Sequence, residues 1–250
     1  MQNRYVGDIG DFAKFGLVRS LVGGSDLKTG IVWYLTPDET SNDGRHIDYL
    51  KEPFGGLRDC DEPLFDALAE VVHNGRRFVR EIPGSGVLPP DTVYHDALLS
   101  YASGVSAAMR MAQRVAWFEG ALASTAGCDL VVLDPDNGLE SPSVGPQSVY
   151  GPKYAYFDEL SRFVERGQSL VVYHHLDRSG TAEEQARRRM QEIQDRLQVE
   201  LVVALRWLRV SPRFFFVIAA ERHEDQLSRG IESLCAGPWS AHFELIQPWS

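Results

Sequence analysis

The sequence predicts an α/β fold, a single doubly wound and mostly parallel sheet closed by a C-terminal antiparallel hairpin. Short apolar runs alternate with amphipathic stretches of helical length over most of the chain, the pattern of strand–helix–strand units with right-handed crossovers. The run at 129–133, DLVVL, is almost wholly apolar, as expected of a central parallel strand covered on both faces. Two further runs, 200–210 and 213–220, are separated only by Ser211 and Pro212, close enough for a hairpin. No repeat, low-complexity tract or linker divides the sequence. One domain is therefore expected over 1–250, with an N-terminal helical segment at 1–28, a sheet core at 29–222 and a C-terminal helix and tail at 223–250.

Each element has its own signal. Residues 11–22 bring Phe12, Phe15, Leu17, Val18, Leu21 and Val22 near helical spacing and stop at Gly23 and Gly24. The strand 29–35 (TGIVWYL) follows, then a polar loop, TPDETSNDGRH, broken by Pro37, Asn42, Asp43 and Gly44. A helix at 63–74 opens with proline, where the missing N–H costs nothing. Strand candidates lie at 77–82 and 91–94, and a long helix at 106–124 turns Met109, Ala112, Val115, Ala116 and Leu122 toward one side. After 129–133 come a helix at 153–165, a strand at 169–174, a charged helix at 182–197 and the hairpin.

Composition narrows the function. With 35 acidic against 25 basic residues, the formal charge of −10 provides no global attraction for phosphate backbones. Nucleic-acid binding is thus not supported by net charge. Cys60, Cys128 and Cys235 stand far apart, without zinc-knuckle or disulfide spacing, and a reducing, cytoplasmic setting is expected. No stretch approaches the roughly 20 apolar residues needed to span a bilayer, so no membrane partner is expected.

Ligands of open α/β sheets bind beyond the carboxyl ends of strands, where strand order reverses. Three loops qualify here, carrying Asp38 and Glu39, then Asp134, Asp136 and Asn137, then His174 and His175. If the first, fourth and fifth predicted strands are neighbours, these groups converge on one crevice. Asp38 and Glu39 can equally be turn and cap residues. His174 and His175 point to opposite sides of a strand, so at most one faces the crevice; His174 is taken as the catalytic candidate. Near the N-terminus, Asp11 and Lys14 stand three apart on one helical face, readable as a functional pair or as capping plus a surface ion pair. Arg187, Arg188 and Arg189 read as a solvated face, and Arg206, Arg209 and Arg213 as a nucleic-acid border or as sheet-edge protection.

The segment YVGDIGDFAKFGLVRSL, the strand GIVWYL, and the pairing of DLVVLDPDNGLE with QSLVVYHHL resemble adenine-N6 methyltransferases of ribosomal RNA. In that family a G-N-x-A-D-x-x-K-H segment precedes the first strand and an Asp-Pro-Pro-Tyr motif follows the fourth. Residues 7–15 and Asp134-Pro135-Asp136-Asn137 occupy those places here. The resemblance covers residues 1–220 in order of elements and implies the methyltransferase variant of the doubly wound sheet. It implies S-adenosylmethionine as cofactor and methyl transfer to an amine, with a small molecule or a nucleobase as substrate. Asp134 would accept a hydrogen bond from the target amine, helped by the Pro135 carbonyl, and Lys14 would sit over cofactor and substrate. Asp38 or Glu39 would hold the amino-acid or ribose part, Asp96 would lie near the adenine, and Tyr154 or Tyr156 would stack on a base. The family's glycine-rich turn after the first strand is replaced by Thr36-Pro37-Asp38-Glu39-Thr40.

The residues also support a second expectation. Asp134, Asp136 and Asp38 form an oxygen-rich set suited to Mg²⁺ or Mn²⁺, as in a phosphoesterase or nuclease. A non-catalytic partner protein with the same fold is the third.

Overall fold

The computed structural model describes residues 1–40, 44–51 and 56–248; Asn42 and Asp43 of the polar loop lie outside them. Among these residues the strands are β1 (Thr29–Trp33), β2 (Val93–His95), β3 (Leu130–Asp134), β4 (Gly138–Leu139), β5 (Tyr154–Ala155), β6 (Ser169–His175), β7 (Val202–Trp207), β8 (Arg213–Ile218) and β9 (Phe243–Ile246). The α-helices are α1 (Ile9–Val22), α2 (Leu57–Cys60), α3 (Glu62–His73), α4 (Ala107–Ser124), α5 (Phe157–Val164), α6 (Ala182–Leu197) and α7 (Glu224–Ala236).

A seven-stranded sheet runs in the order β2-β1-β3-β6-β8-β7-β9. Its first four strands are parallel, and β8 enters antiparallel between β6 and β7. The expected neighbours, β1, β3 and β6, are adjacent, and the hairpin forms as β7 and β8. The tail adds β9 as the antiparallel edge. The chain order departs between β1 and β3, so the switch-point crevice opens above those two strands.

Alternation along the strands divides the core into two layers. Ile31, Val132, Val171 and Phe215 pack with α1, α3 and α7, while Val32, Val131, Val172 and Phe216 pack with α4, α5 and α6. Helix starts follow local chemistry. Thr181 Oγ1 accepts the Glu184 N–H at 3.2 Å and Glu184 Oε2 accepts the Thr181 N–H at 2.8 Å, a capping box that begins α6.

Several expectations are corrected. Residues 77–82 form no strand; Val79–Glu81 is a 3-10 turn. Arg77 is spent on backbone carbonyls, with Nε on Val6 O at 2.7 Å and Nη2 on Gly44 O at 2.6 Å and on Arg4 O. The helix expected from 153 begins only at Phe157, because Tyr154–Ala155 pairs with Gly138–Leu139 in a separate two-stranded sheet. On α4 the buried face is Arg114, Trp117, Phe118, Ala121 and Leu122, whereas Met109 and Val115 are exposed; the aromatics, with more area to bury, set the orientation. No helix among the described residues is long and apolar enough to cross a membrane.

Candidate active site

Strand alternation decides which polar groups meet. Asp134 continues the Leu130, Val132 series of β3, His175 the Val171, Tyr173 series of β6, and Arg213 the Phe215, Val217 series of β8, so all project toward the α1 side. Because β8 runs opposite to β6, its first residue, Arg213, pairs in register with the last of β6, His175. These strand ends and the first turns of α1 enclose a cavity of about 310 Å³.

The first turn of α1 supplies the floor. Asp8 Oδ1 accepts the N–H groups of Gly10 at 2.8 Å and Asp11 at 3.0 Å, so Asp8 is the N-cap. Asp11, relieved of capping, turns inward: Oδ2 accepts the Gly7 N–H at 3.0 Å and Oδ1 meets Lys14 Nζ at 2.7 Å. Lys14 Nζ also reaches Asp134 Oδ2 at 2.6 Å. Asp11, Lys14 and Asp134 are 3%, 2% and 4% exposed, so this is no surface ion pair. Removing such ions from water costs several kcal/mol apiece before their attraction returns any of it. Burial above all, with Asp8 and Asp134 adding to it, pushes the Asp11 carboxyl up to about 6 against the pull of Lys14. Burial alone would lower Lys14, but Asp11 and Asp134 outweigh it and raise the ammonium above its ordinary value.

A second charged group closes the β1 side. Asp136 Oδ2 accepts from Gln2 Nε2 at 2.8 Å and meets Lys153 Nζ at 3.2 Å, and Lys153 also pairs with Glu39. The Met1 ammonium lies 3.7 Å from Asp136 Oδ1 and donates to Tyr34 O at 3.0 Å and Asp134 O at 3.4 Å. Burial would raise the Asp136 carboxyl, yet the Met1 ammonium, Gln2 and Lys153 together hold it below the usual range.

The opposite wall is His175, Tyr173 and Arg213. His175 opens to the cavity with Nε2 2.7 Å from Tyr173 Oη. Burial first, and then Arg213, push its pKa down, so the imidazole is neutral near pH 7. Arg213 is 8% exposed. Its Nε donates to Ser211 O at 2.9 Å and its guanidinium sits 5.6 Å from the Tyr173 ring centre. It lies against α1 at Gly10, where a Cβ would fall 1.9 Å from Nη1; only glycine leaves that space.

Of the sequence candidates, Asp134, Pro135, Asp136, Asn137, Lys14 and Glu39 border the cavity. His174 does not take the catalytic place assigned to it. It points into the other layer, its Nδ1 accepts the Leu139 N–H at 3.0 Å, and burial chiefly lowers its pKa to about 3. Gly138, at φ +113, is required beside it, since a Cβ would come 2.3 Å from His174 Nδ1. Asp38 turns outward, exposed, and accepts the Arg4 N–H at 3.2 Å. Asp96 is exposed beyond β2, away from the cavity. Neither Tyr154 nor Tyr156 borders it; Tyr5 and Tyr173 are the tyrosines that do. Arg213, Lys153 and the Met1–Gln2 dipeptide were not foreseen as site residues. Strand parity, counted from the apolar residues of β6, would have chosen His175 over His174.

The ground beside β1, where the resemblance places S-adenosylmethionine, is partly taken by the chain itself. In the loop after β1, Thr36 N donates to Met1 O at 2.9 Å and Glu39 N to Gln2 Oε1 at 2.9 Å. On the other side Leu35 bridges to Leu98, and Leu99 N donates to Leu35 O at 2.7 Å. Met1, Gln2 and Leu98–Leu99 thus pack against the segment that follows β1, beside the open cavity. The divalent-metal set fares no better. Lys14 and Lys153 occupy the carboxylates of Asp134 and Asp136 and Asp38 faces away, and no group of three or more His, Cys, Asp or Glu suited to a metal converges among the described residues. No protein-family model matches this chain and no curated protein matches it.

Proposed function

We propose that this chain is an enzyme that moves a proton on a small polar substrate in the cavity between α1, β3 and β6. The observation that carries this reading is the buried Asp11–Lys14–Asp134 bridge at the floor of an open cavity. A fold gains little from burying such ions for stability alone, and titratable groups perturbed in a cleft mark functional sites. Asp134 Oδ2 is engaged by Lys14, which leaves Oδ1 to accept a hydrogen bond from a substrate N–H or O–H and orient it. His175, neutral and coupled to Tyr173, is the proton acceptor.

The test is conversion of a metabolite mixture, followed by mass spectrometry, with chelator present and no S-adenosylmethionine added. The wild-type chain is expected to deplete a substrate, and Asp134→Asn and His175→Gln to slow it by about 10²–10⁴-fold. Stabilisation by S-adenosylmethionine, with turnover only in its presence, would overturn the cofactor-free reading. Methyl transfer to an amine is the second reading, favoured by the antiparallel insertion of β8 and by Asp134-Pro135 at the carboxyl end of β3; it requires Met1 and Gln2 to leave the crevice.

A further inference from the structure

The cations around the cavity are not equivalent. Lys14 is paired with Asp11 and Asp134, and Lys153 with Asp136 and Glu39. Arg213 is the exception. Among the described residues it forms no ion pair, and its one hydrogen bond runs from Nε to Ser211 O. Both Nη groups of a guanidinium that is nine-tenths buried therefore have no protein acceptor. Asp8, Asp11 and Asp134 balance its charge from a distance, but its Nη donors are left to be answered from the open cavity that Arg213 lines.

The guanidinium is also held in place. The Tyr173 ring centre lies 5.6 Å from it, Gly10 of α1 packs against Nη1, and His175 is its register partner on β6. A planar, immobilised fork of donors matches the paired oxygens of a carboxylate or a phosphate. The cavity of about 310 Å³ lies at the small end of ligand pockets, which run from about 300 to 1,000 Å³, a size for a metabolite and not for a folded polymer.

We propose that Arg213 docks an oxyanion, a carboxylate or phosphate group, carried by the substrate; this rests on the acid–base reading of the same cavity. The anion then lies beside His175, and Gly10 is the residue that leaves room for the guanidinium to lie there.

The experiment is calorimetry and thermal shift on the whole chain with inorganic phosphate, with acetate, and with glycerol as a neutral control. At least one anion is expected to bind and stabilise the wild type while glycerol does neither. A response to phosphate alone assigns a phosphate ester, and a response to acetate alone a carboxylate. Arg213→Gln is expected to weaken that binding by roughly tenfold or more. Gly10→Ala, which keeps the charge but takes the place of Nη1 and so displaces the guanidinium, is expected to weaken it as well, and serves if Arg213→Gln does not fold. Absence of any anion response in the wild type, or an undiminished response in the folded variants, overturns the assignment. Asp134→Asn separates the two ideas. Retained anion binding with retained turnover sinks the acid–base reading alone, whereas lost turnover in a protein that never bound anions sinks the Arg213 dock alone.

Discussion

Two buried arginines lie on opposite faces of the sheet and are treated differently. Arg114, on α4, uses every nitrogen: Nε meets Glu159 Oε1 at 2.6 Å, Nη1 meets Gly151 O at 2.9 Å, and Nη2 meets Tyr154 O at 2.7 Å and Glu159 Oε2 at 2.9 Å. Tyr34 Oη and the Tyr156 N–H complete Glu159 at 3.1 Å and 3.2 Å. That network is closed and ties α4 and α5 to Tyr34, the residue that follows β1. Arg213 is nearly as buried but has one bond. The contrast teaches that burial of a charge does not by itself mark a site; unpaired donors at the wall of an open cavity do.

The largest effect should come from breaking the closed network. Arg114→Met leaves Glu159 without its counter-ion and is expected to cost about 3–5 kcal/mol in urea unfolding, whereas Arg213→Gln should cost less than about half of that. Equal losses would erase the distinction between the two arginines.

A middle-sized effect concerns pH. Asp11 is raised to about 6 from an ordinary 3.8, so the folded chain binds its proton more tightly and this carboxyl adds stability as pH falls from 6 toward 3.8. His174, lowered from 6.5 to about 3, acts oppositely, removing stability as pH falls below 6.5. Asp11→Asn should therefore make the chain lose stability more steeply than wild type between pH 6 and 4. Parallel stability curves for the two proteins would show that Asp11 is not strained by its burial. The smallest effect is expected for Arg206→Ala, since its partner Glu244 is 48% exposed at 3.1 Å; a change above about 1 kcal/mol would be surprising for such a pair.

Much of this architecture could be read from local chemistry. The Thr181–Glu184 box starts α6 where the charged periodicity begins, and the apolar run ending in Asp134 forms the central strand. What escaped was non-local. Residues 77–82 look extended, but Arg77 is drawn to carbonyls of Arg4, Val6 and Gly44, and no spacing rule foresees that. Arg213 reads as a nucleic-acid border or as edge protection until β8 is known to lie inside the sheet, opposite His175. Met1 and Gln2 carry no periodicity at all, yet they fill the crevice above β1. The carboxylates were found because strand ends announce them; their partners were missed because they arrive from other segments.

The reversed direction of β8 has one more consequence. Its connection to β7, residues 208–212, includes Val210 in the left-handed region at φ 56. The length of that tip sets which residue of β8 stands opposite His175. One added residue on the β8 side would rotate the strand by a full side-chain step, turning Arg213 into the opposite layer and Phe214 toward α1. The tip is thus a ruler for the cavity, and hairpin length, more than the identity of any side chain within it, is the variable through which this scaffold can exchange a charged wall for an apolar one.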